Sequence, residues 1–254
     1  MVLLSKPGIT RLVTIASGVG FIVAAAWHQR PLGELIIPGL GCVIGTAIAS
    51  AGANAFNQVL EIGRDGLMQR TAGRPLPAGR LAPGAAWIFA FACSVLGPLL
   101  LGVTSNWIAA AIALLTIVLY AAVYTPLKPI SPVSTYVGAI PGALPCLIGW
   151  AAATRPEAGS PAIGPALSVF AILLVWQLPH FFAIAMMYRE QYERAGFRPV
   201  PPNASAAQIG RWVVAWAGLT VAASALPLIA MPGLIGGAYA AVAAIAGAAF
   251  VYVS

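Results

Sequence analysis

Charge is scarce in this sequence, and negative charge is the scarcest. Of its 254 residues, 7% are Asp, Glu, Lys or Arg, and only six are acidic. Soluble globular domains carry roughly 25% charged residues, so this composition excludes an ordinary soluble fold. The hydrophobic content of 60% and the mean hydropathy of +0.91 predict an integral membrane protein, with the lipid bilayer as its surroundings.

Cysteine is also rare. Cys42, Cys93 and Cys146 stand singly in apolar runs, without the spacing of a metal site or a disulfide framework. We expect them to be small buried hydrophobic residues, and they indicate nothing about the redox compartment.

Long uncharged intervals predict eight membrane-spanning helices. Crossing about 30 Å of hydrocarbon takes roughly 20 apolar residues. Single helices are predicted within residues 12–29, 35–60, 129–154 and 158–188, and two helices each within 81–127 and 212–254. The expected fold is an all-α polytopic bundle.

The 13 basic residues are distributed unequally between the two sides of these helices. With the N-terminus inside, all of them except Arg30 and Arg155 fall in inner segments. Such an excess of Lys and Arg is typical of cytoplasmic segments. The pattern predicts a cytoplasmic N-terminus, and it explains the net charge of +7 without a nucleic-acid partner.

Two similar strings occur about half a chain apart. AGRPLP occupies residues 72–77 and AGFRPVP occupies residues 195–201, each after a predicted helix. A lag of four helices predicts two parallel four-helix halves around a central cavity, related by an axis along the membrane normal. Short strings containing Arg-Pro also recur by chance, so both interpretations are open.

Three polar residues lie four apart at the inner end of the second predicted helix. Asn57, Glu61 and Asp65 differ by only about 40° per step, so they share one helix face. Oxygen ligands of this kind suit Mg²⁺, and the following Arg70 and Arg74 match phosphate oxygens. The alternative is a solvated loop whose acidic residues only balance its positive charge.

Further polar residues fall at equivalent depths. Glu190 occupies the inner end of the sixth helix, and Lys128 follows the fourth. Tyr120 and Tyr124, one turn apart, could line an interior cleft or belong to an interfacial belt of aromatic residues. All of these side chains are expected near the inner face.

His180 lies well inside the sixth predicted helix, beside Pro179 and three residues after Gln177. A histidine at this depth could bind haem iron, accept a proton, or form an interhelical hydrogen bond. Gly138 and Gly142 in the fifth helix permit close packing of a neighbouring helix.

Taken together, five blocks resemble one known family. They are NxxxExxxDxxMxRTxxRPLPxGR at 57–80, YTPLK at 124–128, GAIPGALP at 138–145, WQxPHF at 176–181 and YREQY at 188–192. In this order they resemble the UbiA-type intramembrane prenyltransferases, in particular the branch that farnesylates haem. The resemblance extends over nearly the whole chain, so we expect residues 1–254 to form a single domain of this type.

The resemblance implies an activity and a site. A farnesyl group would pass from farnesyl diphosphate to a vinyl group of haem b, giving haem O, with Mg²⁺ as cofactor. An aromatic quinone precursor is the alternative acceptor. The implied site residues are Asn57, Glu61 and Asp65 for the metal, Glu190 as a further catalytic residue, Arg70, Arg74, Lys128 and Arg189 for diphosphate, and His180 and Gln177 for haem.

The resemblance also implies a cellular setting, the inner membrane, with haem A synthase or terminal-oxidase assembly factors as partners. Three features depart from the family pattern. Gly63 and Gln191 stand where many bacterial members have Asp, and the sequence predicts eight helices where nine are usual.

Overall fold

The computed structural model describes residues 1–154 and 163–253. Arg155, predicted on the outer side, and the first residues of the predicted 158–188 helix lie outside the described residues. In chain order the helices are a 3-10 turn at Val2–Ser5, then α1 (Pro7–Trp27), α2 (Leu32–Leu60), α3 (Ile62–Asp65), α4 (Gln69–Ala72), α5 (Pro83–Thr104), α6 (Trp107–Val118), a π-helical segment (Leu119–Tyr124), α7 (Thr125–Leu127), α8 (Ser134–Ala153), α9 (Ile163–Met187), α10 (Arg189–Arg194), α11 (Ala206–Ala223), α12 (Leu226–Ala230) and α13 (Gly237–Val253).

The predicted all-α polytopic architecture is confirmed. Within the described ranges, seven helical segments are long and apolar enough to cross a membrane. The eighth predicted helix corresponds to α13, which is apolar but has only 17 residues. Its rise of about 26 Å is slightly less than the hydrocarbon thickness.

The helices pack in two corresponding sets. In the first set α1 packs on α2, α2 on α5 and α5 on α6, while in the second set α8 packs on α9, α9 on α11 and α11 on α13. Contacts of α8 with both α1 and α6 join the sets. This order is the one expected for two parallel four-helix halves.

Glycine allows α1 and α8 to approach until their backbones touch. A Cβ atom on Gly149 would lie 1.7 Å from the carbonyl oxygen of Ser17, and one on Gly20 would lie 2.0 Å from that of Cys146. No larger residue fits at these points without moving a helix. The contact fixes α8 as the wall between the two halves.

The inner ends of α2 and α9 are both interrupted. The chain leaves helical geometry at Glu61, with φ −101°, and at Tyr188, with φ −111°. Short helices and turns follow in each case, and we call residues 61–80 the first mouth loop and residues 188–204 the second mouth loop. Each contains one of the two similar strings. Met68 of the first loop packs with Tyr192, Ala195 and Phe197 of the second.

Candidate active site

A cavity of about 400 Å³ lies between the two sets of helices and ends beneath the mouth loops. Its walls come from α1, α2, α6, α8 and α9, and its inner end is lined by polar and charged side chains from both loops. Farther from the mouth loops, the side chains that line the cavity are mostly apolar. The arrangement suits an amphipathic ligand with one charged end.

Asn57, Glu61 and Asp65 all line this cavity and are buried. Although α2 ends at Leu60, the Asp65 amide donates to the Glu61 carbonyl at 2.8 Å, so the helical spacing continues through the break. That hydrogen bond explains why the three side chains face the same space. Gly63 is exposed and has open space around it.

Each of the three polar side chains has a defined partner. Lys128 Nζ lies 2.7 Å from Glu61 Oε1, and Arg74 contacts Asp65 Oδ2 at 2.5 Å. Asn57 donates from Nδ2 to Thr125 Oγ1 at 3.1 Å. Asp65 Oδ1 is buried and has no hydrogen-bond partner among the described residues. One carboxylate oxygen is therefore available for a cation.

This donor set fits Mg²⁺. Two carboxylates and an amide oxygen are hard ligands, and the unpartnered Asp65 Oδ1 gives the cation a direct contact. Within the described ranges, no three His, Cys, Asp or Glu residues come together. The protein would thus supply only part of a coordination shell, as is usual for Mg²⁺ bound together with water and phosphate oxygens.

Lys128 is held by aromatic rings as well as by Glu61. Its ammonium lies 4.6 Å from the centre of the Tyr124 ring and 5.7 Å from that of Phe197. Burial alone lowers the pKa of Lys128, but Tyr124 and the Glu61 carboxylate raise it more, so its pKa lies above the ordinary value. The ammonium is charged at neutral pH.

The sequence did not single out Lys6, although it lines the cavity and donates a hydrogen bond to Asn57 Oδ1. Burial, together with the positive charges of Arg74 and Lys128, lowers the Lys6 pKa to about 7. Its only sequence signal is its place on the same predicted side as the acidic residues.

Arg70 joins the two mouth loops. Its guanidinium lies 5.0 Å from the centre of the Tyr188 ring and donates to the Tyr192 hydroxyl at 3.2 Å, while its backbone amide donates to Gln191 Oε1 at 3.2 Å. Arg70 also lines the cavity, so a guanidinium is available at the mouth.

Glu190 and Arg189 are outside the lining of the cavity. The Glu190 side chain is 84% exposed and pairs with Arg194 at 3.4 Å. Arg189 donates to the carbonyl oxygens of Ala204 and Pro202, and so stabilises the second mouth loop. The Tyr192 side of α10 faces the cavity, and Glu190, two residues away, points about 200° from that side.

Deeper in the cavity, Trp176 and His180 stack with ring centres 5.7 Å apart and planes 6° apart. Gln177 is buried and donates from Nε2 to the carbonyl oxygens of Ala139 and Leu173 at 3.1 and 2.8 Å. The predicted haem-binding pair therefore lies on one wall of the cavity.

Tyr120 and Tyr124 also line this cavity, with ring centres 5.4 Å apart. The structure therefore supports the first of the two interpretations, in which these tyrosines line an interior cleft. Gly138 makes this possible, because a Cβ atom there would lie 2.5 Å from the Tyr124 ring. Aromatic rings therefore stand next to the charged mouth.

A cavity between two helical halves, with a charged mouth, is the arrangement expected of an intramembrane prenyltransferase. Residues 12–254 match the UbiA prenyltransferase family, and the chain belongs to it.

Within that family, the chain is 38% identical over 254 residues to the protoheme IX farnesyltransferase of Solibacter usitatus (strain Ellin6076), covering 98% of this chain and 85% of that one. It is 38% identical over 198 residues to the protoheme IX farnesyltransferase of Koribacter versatilis (strain Ellin345), covering 78% of this chain and 62% of that one.

Solved structures share the fold at low sequence identity. A UbiA homologue from Aeropyrum pernix K1 superposes with a TM-score of 0.80 and 18% identity, over 96% of this chain and 86% of that one. A UbiA homologue from Archaeoglobus fulgidus bound to DMAPP and Mg²⁺ gives a TM-score of 0.70 at 16% identity, over 98% of this chain and 84% of that one.

Proposed function

We propose that this protein transfers the farnesyl group of farnesyl diphosphate to a vinyl group of haem b, giving haem O, with the help of Mg²⁺. The observation that carries the proposal is the pairing of carboxylates and basic groups at the mouth of a mostly apolar cavity, around Asp65 Oδ1, which has no hydrogen-bond partner among the described residues. The haem acceptor is supported by relatives named protoheme IX farnesyltransferase. We also propose that residues 1–254 act as a single prenyltransferase domain.

The mouth binds the diphosphate. Asn57, Glu61 and Asp65 would hold Mg²⁺, and the Archaeoglobus fulgidus homologue, which has DMAPP and Mg²⁺ bound, supports this use of the metal. When bound, the metal neutralises negative charge on the diphosphate and makes it a better leaving group. Arg70 and Arg74 bind phosphate oxygens from the first mouth loop. Arg189 and Glu190 are not part of this proposed shell.

The reaction begins when the bond between farnesyl C1 and the diphosphate oxygen breaks. Lys128 and Arg74 stabilise the departing negative charge from fixed positions, which is the kind of term that contributes most in enzyme catalysis. The allylic cation then lies beside the Tyr120 and Tyr124 rings, whose faces attract positive charge. The apolar wall keeps water away until the new bond has formed.

A haem vinyl carbon attacks farnesyl C1 and forms the new carbon–carbon bond. The positive charge passes to the other vinyl carbon, water adds there, and one proton is released, which leaves a hydroxyethylfarnesyl group. Haem would lie against the wall of Trp176, Gln177 and His180. The parallel stack of Trp176 and His180 offers a flat aromatic surface on which a macrocycle can pack.

We further propose that the mouth faces the cytoplasm and that the membrane is the inner membrane. The excess of basic residues at the mouth supports this orientation. A membrane-impermeant maleimide should label Arg80→Cys in inside-out vesicles and Gln29→Cys in right-side-out vesicles. The reverse pattern would overturn the orientation. Haem A synthase and oxidase assembly factors remain proposed partners, as consumers of the product.

The acceptor is tested by competition. Purified protein in liposomes is given Mg²⁺, labelled farnesyl diphosphate and equal amounts of haem b and 4-hydroxybenzoate, and the products are separated by mass. The proposal expects label in haem O. Label in the aromatic acid alone would replace haem with a quinone precursor as the substrate.

A further inference from the structure

The N-terminal segment, residues 1–6, is fastened to α2 by polar side chains one helical turn apart. Gln58 donates from Nε2 to the carbonyl oxygens of Leu3 and Leu4, at 3.1 and 2.9 Å. Asn54 donates from Nδ2 to the carbonyl oxygen of Ser5 at 3.2 Å. These contacts hold the backbone beside the face of α2 that carries Asn57.

An apolar anchor reinforces them. Leu4 is fully buried and packs in a cluster with Ala55, Val59, Leu76 and Ala86. Leu76 belongs to the first mouth loop, so the N-terminal segment and that loop share one packing unit. Thr10 in α1 also donates to the Ser5 carbonyl oxygen at 2.6 Å.

These anchors place Lys6 in an unusual backbone conformation. Its φ is 47° and its ψ is 73°, in the left-handed region that residues with a Cβ atom rarely adopt. The conformation directs the side chain into the cavity, where the ammonium contacts Asn57 Oδ1. The surrounding contacts hold Lys6 in that position.

Asn57 has only one oxygen to offer a metal. Its Nδ2 is bonded to Thr125 Oγ1, which fixes the amide so that Oδ1 faces Lys6. An ammonium and a divalent cation that both contacted that oxygen would lie a few ångströms apart and repel each other, so each weakens the binding of the other. Lys6 thus occupies one of the three ligand positions assigned above to Mg²⁺.

We propose that Lys6 competes with the divalent cation for Asn57 Oδ1 and, once displaced, binds the substrate diphosphate as a further positioning group. This proposal rests on the proposed function of the site. The competition makes metal binding weak in the absence of diphosphate and stronger in its presence, because the diphosphate gives the displaced Lys6 ammonium a new partner. Coupling of this kind is reciprocal between the two ligands.

The test compares Lys6→Met with Arg11→Met. Arg11 is an exposed basic residue five positions along the chain, and it is not among the residues that line the cavity. Mn²⁺ affinity is measured by electron paramagnetic resonance, first alone and then with farnesyl thiodiphosphate, an unreactive analogue. Lys6→Met should bind Mn²⁺ alone about 5-fold tighter than wild type, and should bind the analogue about 5-fold more weakly in the presence of Mn²⁺, at the lower end of typical coupling. Lys6→Arg should stay close to wild type.

Unchanged or weaker Mn²⁺ binding by Lys6→Met would overturn the role of Lys6. If wild type binds Mn²⁺ and forms haem O while Lys6→Met matches Arg11→Met in both titrations, the Lys6 proposal fails and the proposed function stands. If wild type neither binds Mn²⁺ nor forms haem O, both fail together. Thermal melting of each variant identifies misfolding, and Lys6→Gln repeats the test if Lys6→Met melts early.

Discussion

Arg74 contacts Asp65 Oδ2 at 2.5 Å, whereas Asp65 Oδ1 is buried without a hydrogen-bond partner among the described residues. The guanidinium fixes the direction of the carboxylate and leaves its second oxygen free of a protein hydrogen bond among the described residues. A buried carboxylate oxygen without a partner is costly, so a cation at this point would stabilise the site. The relationship accounts for an acidic residue in a chain that has very few.

The first prediction concerns the carboxylates. Asp65→Asn and Glu61→Gln should each lower kcat/KM for haem O formation by about 100-fold or more, because each removes a charge that holds the cation near the leaving group. The matched control is Glu34→Gln in the first turn of α2, about 40 Å from Glu61, which should change the rate little. If kcat/KM of Asp65→Asn were within about 3-fold of that of Glu34→Gln, the assignment of Asp65 to the metal site would be contradicted, because the free energy of so small a loss is less than that of one typical charged interaction.

The second prediction concerns stability with metal. Mg²⁺ should raise the melting temperature of the wild type and a chelator should reverse the rise, because a ligand that binds only the folded protein stabilises it. Asp65→Asn should show a much smaller rise at the same Mg²⁺ concentration. An equal rise in both proteins would place the cation elsewhere.

The shared face of Asn57, Glu61 and Asp65 could be predicted from sequence because helical spacing is a local property. It also depended on the hydrogen bond from the Asp65 amide to the Glu61 carbonyl, which carries the spacing through the end of α2. No sequence pattern indicates whether a helix break preserves that bond. The predicted number of membrane-spanning helices differs from the structure only at α13, which has 17 residues and is slightly too short to count as a span.

The positions of Lys6 and Glu190 in the structure could not be predicted from local sequence patterns. Lys6 reaches Asn57 across 51 residues of chain through a left-handed backbone turn, and neither feature leaves a periodic signal. Glu190 is an acidic residue at the place expected for a second acidic site. The stacking of Tyr188 and Tyr192 on Arg70, however, sets the orientation of α10 and so the direction in which Glu190 points. Tertiary contacts decide both positions.

The third prediction concerns the haem wall. A Cβ atom on Gly142 would lie 1.8 Å from Gln177 Oε1, so Gly142→Ala must displace Gln177 or part the helices α8 and α9. We expect a loss of about 1–3 kcal/mol in the free energy of unfolding, as for overpacked cores, together with weaker haem binding in an absorbance titration. Gly218→Ala, in α11 with open space around its Cβ position, is the control and should be neutral or stabilising. Equal effects of the two substitutions would mean that Gln177 can move freely.

The fourth prediction concerns Arg70. Arg70→Gln should raise KM for farnesyl diphosphate about 10-fold and change kcat less, because the residue both binds phosphate and joins the mouth loops. Arg194→Gln, which removes only an exposed pair with Glu190, should leave both constants near wild type. A loss confined to kcat would indicate that Arg70 acts on the bond-breaking step.

The most direct test is formation of haem O by the purified protein. Wild type and Asp65→Asn are incubated with haem b, farnesyl diphosphate and Mg²⁺, with and without chelator, and the haem products are identified by mass spectrometry. The account predicts haem O from wild type with Mg²⁺, none with chelator, and at most a trace from Asp65→Asn. Haem b recovered unchanged from wild type, while a protoheme IX farnesyltransferase relative converts it in the same assay, would contradict the account.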